Sequence, residues 1–454
     1  IAFEDSRLPY RVDVVDMKAV KPYFKDLIKD EMVLFPLKHF SKVPTLRFPE
    51  FSGEWEVKKL KELTETGFSN GVFNDPKKVG RGYHLINVKD MYVGNSIDVE
   101  SLSLVDIDEK EFIKNKVEYG DIFFTRSSLV KEGIAYTNVN LSDNQRLTYD
   151  GHLIRMQPCK ETTTPQFLAL LFKTSSARKQ FIVGGKTTTM TTIGQSDIAA
   201  VKVAIPLLQE QQKIASFLTE VDNKIEQLTK KKQLLADYKK GVIQQIFSQG
   251  IRFKQDDGSD YPDWEAKRLG NILDIFNGYA FSSNEEVVNG IKWIKISNVG
   301  IQEMNNTNIS YLPKSFIESH KKYILKKGDY VFALTRPILN GKLKIAKIDD
   351  FFNNSLLNQR VGKLKSSENN LDFLYFLFQK NSITQYIANT IAGSDPPNLS
   401  PNTIKTIKVL IPSLGEQHKI AIFLTEIDTQ INQVEKQLAG TKQFKNGLLQ
   451  QMFV

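Results

Sequence analysis

The last 44 residues of the chain, Ile411–Val454, repeat Ile205–Ser248 at a constant offset of 206 without a gap, and about half of the paired positions are identical. Ile205-Pro206-Leu207-Leu208-Gln209-Glu210-Gln211-Gln212-Lys213-Ile214-Ala215 stands over Ile411-Pro412-Ser413-Leu414-Gly415-Glu416-Gln417-His418-Lys419-Ile420-Ala421. Further back, Trp55-Glu56-Val57-Lys58-Lys59-Leu60 matches Trp264-Glu265-Ala266-Lys267-Arg268-Leu269, and Gly120-Asp121-Ile122-Phe123-Phe124 matches Gly328-Asp329-Tyr330-Val331-Phe332. The repeating unit is long enough to bury its own core, so the chain is one large unit used twice rather than a solenoid of short repeats. Between the landmarks the copies differ almost everywhere. A repeated frame with variable filling implies pseudo-twofold symmetry and two different binding surfaces in equivalent places, as for a target with two unlike half-sites.

The matched segments open long helices. Gln209–Phe247 follows Pro206 and has Gly241 as its only interior breaker. With Ile214 at heptad position d, Ile214, Val221, Leu228, Leu235 and Val242 fall at d, and Leu218, Ile225, Lys232, Lys239 and Ile246 at a. The second copy keeps the seam, with Ile420, Ile427, Val434, Thr441 and Leu448 at d and Leu424, Ile431, Leu438, Lys445 and Met452 at a. At 1.5 Å per residue each helix would run about 60 Å. Two matching stripes are satisfied most economically by antiparallel packing, as a rod between two heads, and its remaining faces offer docking surfaces for helices of partner proteins. Both helices end on Gln-Gln-apolar-Phe, at Gln244–Phe247 and Gln450–Phe453.

The heads, Trp55–Ile205 and Trp264–Ile411, are of ordinary domain size. Gly120–Arg126 reads as a turn and strand and Val201–Ile205 as a strand feeding the helix, whereas Thr164–Phe181 and Leu371–Ile387 have helical spacing. The expected fold is therefore a pair of α/β (α+β) heads with twisted sheets, separated by two long antiparallel coiled-coil helices. The expected boundaries are 1–42 for an N-terminal extension, 43–206 for the first head with its lead-in and 207–250 for the first helix, then 251–412 and 413–454 for their second copies.

A formal charge of +9 spread along the sequence suits a partner with an anionic backbone without identifying it. One cysteine, Cys159, leaves no internal disulfide framework and fits a reducing cytoplasm. No apolar run approaches the roughly 20 residues of a membrane helix, and the acidic Glu4-Asp5 start is unlike a signal peptide.

Loops between the elements of each head supply the candidate nucleic-acid contacts. Gly184–Thr192 is a glycine-led loop whose Lys186, Thr187, Thr188 and Thr189 suit phosphate contacts. Its partner, Ala392–Asn398 with Ser394, differs chemically, as two different readers should. Arg126-Ser127 and Thr335-Arg336 follow equivalent strands, where an arginine can reach guanine O6 and N7 in a major groove. Arg360, with Gln359, Arg81 and Arg146, completes the set; a surface ion pair is the plain alternative for each arginine.

The paired Ile-Pro-x-Leu-x-Glu-Gln-x-Lys-Ile-Ala segments, the long helices they open, the Gly-Asp-(Ile/Tyr)-x-Phe strands and the Trp-Glu-x-Lys starts resemble the specificity (S) subunits of type I restriction-modification systems, over roughly Val43 to Val454. The resemblance implies two target-recognition domains, each reading half of a bipartite site in double-stranded DNA. It implies that the helices space these domains and dock two modification (methyltransferase) subunits, through which restriction subunits join. It implies specificity without catalysis and without a cofactor.

Enzyme signals are weak beside it. Asp395-Pro396-Pro397-Asn398 is similar to the Asp/Asn-Pro-Pro-aromatic motif of amino-methyltransferases, but the aromatic is replaced by Asn398 and no glycine-rich cofactor loop precedes it. Asp263, Glu265 and Lys267 superficially match a Pro-Asp…Glu-x-Lys nuclease, with carboxylates too close in sequence to come from two strands around a metal. The five dispersed histidines and single cysteine give no zinc spacing, and no phosphate-binding Gly-x-x-x-x-Gly-Lys-Ser/Thr loop occurs. A self-contained DNA methyltransferase or endonuclease, and a coiled-coil scaffold that binds no DNA, remain the alternatives. Before Val43, Leu8–Asp16 and Ile28–Phe35 resemble the tail of a minimal nucleotidyltransferase domain in which Asp13 would match a metal-binding carboxylate; the preceding glycine-serine loop and aspartate pair are absent, so the segment is read as a remnant or a docking strand and helix.

Overall fold

The computed structural model describes residues 42–73, 78–187, 189–391, 393 and 396–454. The nucleotidyltransferase-like stretch, including Asp13, and the candidates Thr188 and Ser394 lie outside these residues. The chain divides into two units: Ile1–Asp222 with Gln443–Val454, and Asn223–Lys442. Each unit therefore contains one head, the adjoining part of its own long helix and a part of the other.

In the first unit a four-stranded antiparallel sheet has the order Thr64–Asn70, Leu153–Pro158, Ile122–Thr125, Thr137–Val139. Beside it, Val79–Ile86 pairs antiparallel with Ser103–Val105 and parallel with Leu147–Tyr149. In the second unit the same plan returns: Asp274–Asn277, Val361–Lys365, Tyr330–Ala333, Ile345–Lys347 form the four-stranded sheet. Ile291–Ile294 pairs with Ser310–Leu312 and, in parallel, with Leu356–Leu357. The sheets are mainly antiparallel with helices grouped apart, the α+β form of the expected class.

The repeated landmarks have structural causes. Gly120 and Gly328 both adopt φ +93°, a conformation that a Cβ disfavours. The following aspartates close the same turn, Asp121 accepting from Glu118 N at 3.0 Å and Asp329 from Lys326 N at 2.7 Å. Each also faces a cation on the neighbouring strand: Arg155 at 3.6 Å for Asp121 and Lys363 at 2.6 Å for Asp329. Burial pushes the Asp121 carboxyl up to about 6, against the opposing effects of the Glu118 backbone hydrogen bond and the Arg155 charge.

The Trp-Glu-x-Lys starts form edge strands, Glu56–Lys59 and Glu265–Arg268, pairing antiparallel with Lys202–Ile205 and Lys408–Ile411, which lead into the long helices. Glu210, 1% exposed, accepts from Arg47 Nε and Nη2, both at 2.7 Å, and from the Trp55 indole at 3.3 Å. Glu416 is held likewise by Arg252 and Trp264. The adjacent glutamines tie helix to head: Gln211 accepts from Thr164 N and Gln417 from Asn370 N, both at 3.0 Å.

The expected helical stretches Thr164–Phe181 and Leu371–Ile387 are each two helices, Pro165–Leu171 with Ser175–Gly184 and Leu371–Leu377 with Asn381–Ile391. In the first pair Thr174 takes an extended conformation, its hydroxyl donating to Leu171 O and capping Ala177 N, so one side chain ends a helix and begins the next.

The long helices run Leu208–Phe247 and Leu414–Gln451. Every expected a and d position is buried or half-buried. Within the second unit, Lys232 pairs with Glu435 and Lys239 with Asp428, so a seven-residue step along one helix answers a seven-residue step back along the other, the mark of antiparallel packing. Within the first unit Asp222 pairs with Lys445. Asp222 and Lys239 are the repeat counterparts of Asp428 and Lys445, so the same two repeat positions supply the ion pair within each unit.

The Gln-Gln-apolar-Phe ends close the cores. Phe453 packs on Trp55 and Phe167 in the first unit, where Leu46 N also donates to Gln451 O at 2.9 Å. Phe247 packs on Trp264 and Phe373 in the second. Burying such a ring is worth about 2–3 kcal/mol, which explains its recurrence.

Candidate nucleic-acid interface

In each head the central strand of the four-stranded sheet leaves the core at one edge, where the candidate residues gather. In the first head Ile122–Thr125 is buried throughout and Arg126, next along, is exposed. Its backbone is pinned on both sides: N donates to His152 O at 2.9 Å, and O accepts from Ile193 N at 3.0 Å. Its guanidinium makes no hydrogen bond or ion pair among the described residues. Ser127 and Ser128 pair with Thr192 and Thr191, which pair in turn with Lys186 and Thr187. The Thr187 and Thr191 hydroxyls meet at 2.9 Å, while Lys186 and Thr189 are exposed. The structure thus brings Arg126, Ser127, Lys186, Thr187 and Thr189 together.

In the second head the same scaffold carries other side chains. Leu334 N donates to Arg360 O and Leu334 O accepts from Leu399 N, which makes Leu334 the counterpart of Arg126, Arg360 of His152 and Leu399 of Ile193. Arg126 and Arg336 follow equivalent strands without being equivalent residues: Arg336 stands two places further on, where the first head has Ser128. Arg336 has φ +50° and donates its N–H to Pro397 O at 2.7 Å; its side chain and that of Arg360 are exposed and unpaired among the described residues. Thr335 is buried, 5% exposed, and donates its hydroxyl to Asn398 Oδ1 at 2.6 Å, so it positions the loop beneath Arg336. Asn398, the departure from the methyltransferase-like motif, is that hydroxyl's partner.

The remaining arginine candidates have protein partners. Arg81 pairs with Asp106 at 2.7 Å, and Arg146 donates to Gly82 O while lying over the Tyr83 ring. Glu265 pairs with Lys267 and Asp263 with Arg252, as parts of the domain start. Among the described residues no group of three or more His, Cys, Asp and Glu side chains is placed to hold a metal ion, and no helix is long and apolar enough to cross a membrane.

Sequence reasoning missed His152 in this edge. Its ring, 65% exposed, is held by the buried Asp150 carboxylate, which lies 2.8 Å from Nδ1 and also accepts from His152 N. The register that sets Thr125 opposite Leu153, continued by the bond from Arg126 N to His152 O, brings the two together. Also missed were the exposed apolar residues that follow Arg126 in the chain, Leu129 at 87% and Val130 at 60%. A Leu-Val pair after two serines carries no sequence signal of its own.

A duplicated α+β head, built on one scaffold but faced with different exposed basic side chains and joined to long antiparallel helices, defines a two-site recognition protein. The profile of the type I restriction modification DNA specificity domain matches residues 52–236 and 261–439. The chain therefore belongs to the type I restriction-modification DNA specificity family, whose role is recognition rather than catalysis. It is 27% identical over 436 residues to the MjaVIII specificity subunit of Methanocaldococcus jannaschii, covering 92% of this chain and 96% of the relative. It is 24% identical over 424 residues to the putative MjaX specificity subunit of the same organism, covering 91% and 95%. The crystal structure of a type I restriction-modification S subunit from M. genitalium has the same fold, with TM-score 0.58 at 15% identity over 91% of this chain and 99% of that one.

Proposed function

We propose that the two heads each read one half of a bipartite site in double-stranded DNA, the first through Arg126, Ser127, Lys186 and Thr187–Thr189, the second through Arg336 and Arg360 with Ser394, Thr335 acting as support. The observation that carries this is the contrast at equivalent positions: one backbone frame places Arg126, Ser128 and His152 in one head and Leu334, Arg336 and Arg360 in the other. Equal scaffolds with unlike side chains suit unlike half-sites. An exposed arginine unpaired among the described residues presents a planar fork that suits guanine.

Two modification subunits dock on the long helices, with restriction subunits joining through them, and the complex works in the cytoplasm. Tyr238 and Phe444, repeat counterparts, are 53% and 55% exposed. One turn on, at Gly241 and Gly447, an added Cβ would find nothing within 4 Å. An exposed ring beside a bare glycine, repeated once, is a fit for two copies of one partner helix.

The deciding experiment is methylation of a random-sequence DNA pool by the chain with and without a modification subunit, mapped base by base. A bipartite motif appearing only with both proteins supports the proposal. Methylation by this chain alone refutes it, as does the absence of any motif when both proteins are folded. Replacing residues 265–410 with those of a relative should change one half-site only.

A further inference from the structure

The loop that follows Ser127 and Ser128 in the first head carries two apolar side chains into solvent, Leu129 at 87% and Val130 at 60% exposure. Such residues often sit on mobile loop tips, but here the backbone is fixed. Arg178 donates to the carbonyls of Glu132, Ile134 and Ala135, and its guanidinium also lies over the Phe181 ring. Gly133 N donates to Val130 O at 3.1 Å and Val130 N to Ser128 Oγ at 3.3 Å, closing a tight turn. A Cβ on Gly133 would come within 2.4 Å of Ser128 Oγ, so a larger residue there would displace the hydroxyl that accepts from Val130 N. The tip is a pre-organised apolar projection.

Its neighbours are polar and basic. Arg126 precedes it by three residues, exposed and with a guanidinium unpaired among the described residues, Lys131 follows it in the turn and is exposed, and Ser127–Ser128 are strand-paired into the Lys186–Thr187 hairpin. A duplex lying against Arg126 and Lys186 would pass the strand that leads directly into this tip. The apolar group that the base edges of the major groove display is the thymine C5-methyl. In the second head the chain makes a hairpin after the equivalent strand, Ile338–Leu339 with Lys342–Leu343, turning through Asn340 and Gly341 at φ +50° and +70°. Its Leu339 is 48% exposed, so the two heads differ here in shape as well as chemistry.

We propose that Leu129 and Val130 read a thymine methyl group in the half-site of the first head, beside the base contacted by Arg126. This rests on the DNA-reading role proposed for that edge. The contact makes the tip a specificity determinant: cytosine at that position offers an amino group and no methyl, and leaves both side chains against a polar edge.

The test uses the full chain in complex with its modification subunit. After the motif is mapped, binding of wild type, Leu129→Ala and Val130→Ala complexes is measured on cognate duplexes in which each thymine of the first half-site is replaced in turn by deoxyuridine. One thymine should prove sensitive in wild type, losing about fourfold in affinity, the value expected for one buried methyl. The same replacement should cost Leu129→Ala or Val130→Ala little, with melting temperatures unchanged because both side chains are exposed. The inference is overturned if every uridine effect is the same in variants and wild type, if the half-site contains no A·T pair, or if the variants lose the modification subunit instead, which would make the tip a protein contact. A wild-type complex that selects no motif fails the DNA-reading role itself; one that selects a motif without this coupling fails the methyl contact alone.

Discussion

Replacing Glu210 by alanine should destabilise the first unit by about 3 kcal/mol. The carboxylate is 1% exposed and accepts two hydrogen bonds at 2.7 Å from Arg47 and one at 3.3 Å from the Trp55 indole. Removing one member of a buried charge pair costs about 3–5 kcal/mol, because the survivor is left desolvated without a counter-charge. The Arg47 side chain is 13% exposed and keeps the carbonyls of Ser52 and Gly53, which places the expected loss at the lower end, about 3 kcal/mol. Glu210→Gln, retaining an acceptor without the charge, should lose about 1–2 kcal/mol. The double replacement Arg47→Met with Glu210→Leu should lie nearer wild type than Glu210→Ala, since no charge is then stranded. Hydrogen exchange in rising urea, read by mass spectrometry on peptides around Trp55–Leu60, measures the opening free energy of this unit separately from the other. A loss below about 1 kcal/mol for Glu210→Ala would refute the view that this triad secures helix to head.

Three other outcomes are expected. Arg126→Ala should weaken cognate DNA binding about 10- to 100-fold and relax the motif in one half-site, while Arg336→Ala relaxes only the other; methylation mapping of both complexes checks this, and the same half-site responding to both would count against the two-reader arrangement. Because the folded-state pKa of Asp121 is raised to about 6, the folded chain keeps a proton between about pH 4 and 6 that the unfolded chain releases. Stability therefore falls as pH rises through that window, by about 3 kcal/mol for a two-unit shift, and denaturation of Asp121→Asn at several pH values should lack this component. Phe444→Asp should reduce modification-subunit stoichiometry from two to one, and Tyr238→Asp together with it should abolish docking, as native mass spectrometry would record; retention of two subunits by the double variant would rule out these positions.

The repeat determined much by itself. Matching heptads at Ile214 and Ile420 required two helices with complementary seams, and the glycines at 120 and 328 marked turns that a Cβ disfavours, because local periodicity and backbone sterics are written residue by residue. The resemblance of the Glu-Gln helix openings likewise led to the right family. Other facts exist only in the folded chain. That Lys239 and Lys445, placed at seam positions, are neutralised by Asp428 and Asp222 depends on the partner helix. That Arg126 is matched by Leu334 rather than by Arg336 depends on which loop carbonyls their backbones meet. The candidate interface at the strand ends was legible only in part, since loop residues take their places from hydrogen bonds to distant segments: His152 joins Arg126 through such a bond, and the turn after Leu129 is tied down by Arg178, 43 positions from its acceptor Ala135. Sequence periodicity fixes what each segment prefers, whereas long-range pairing decides which side chains face the same partner.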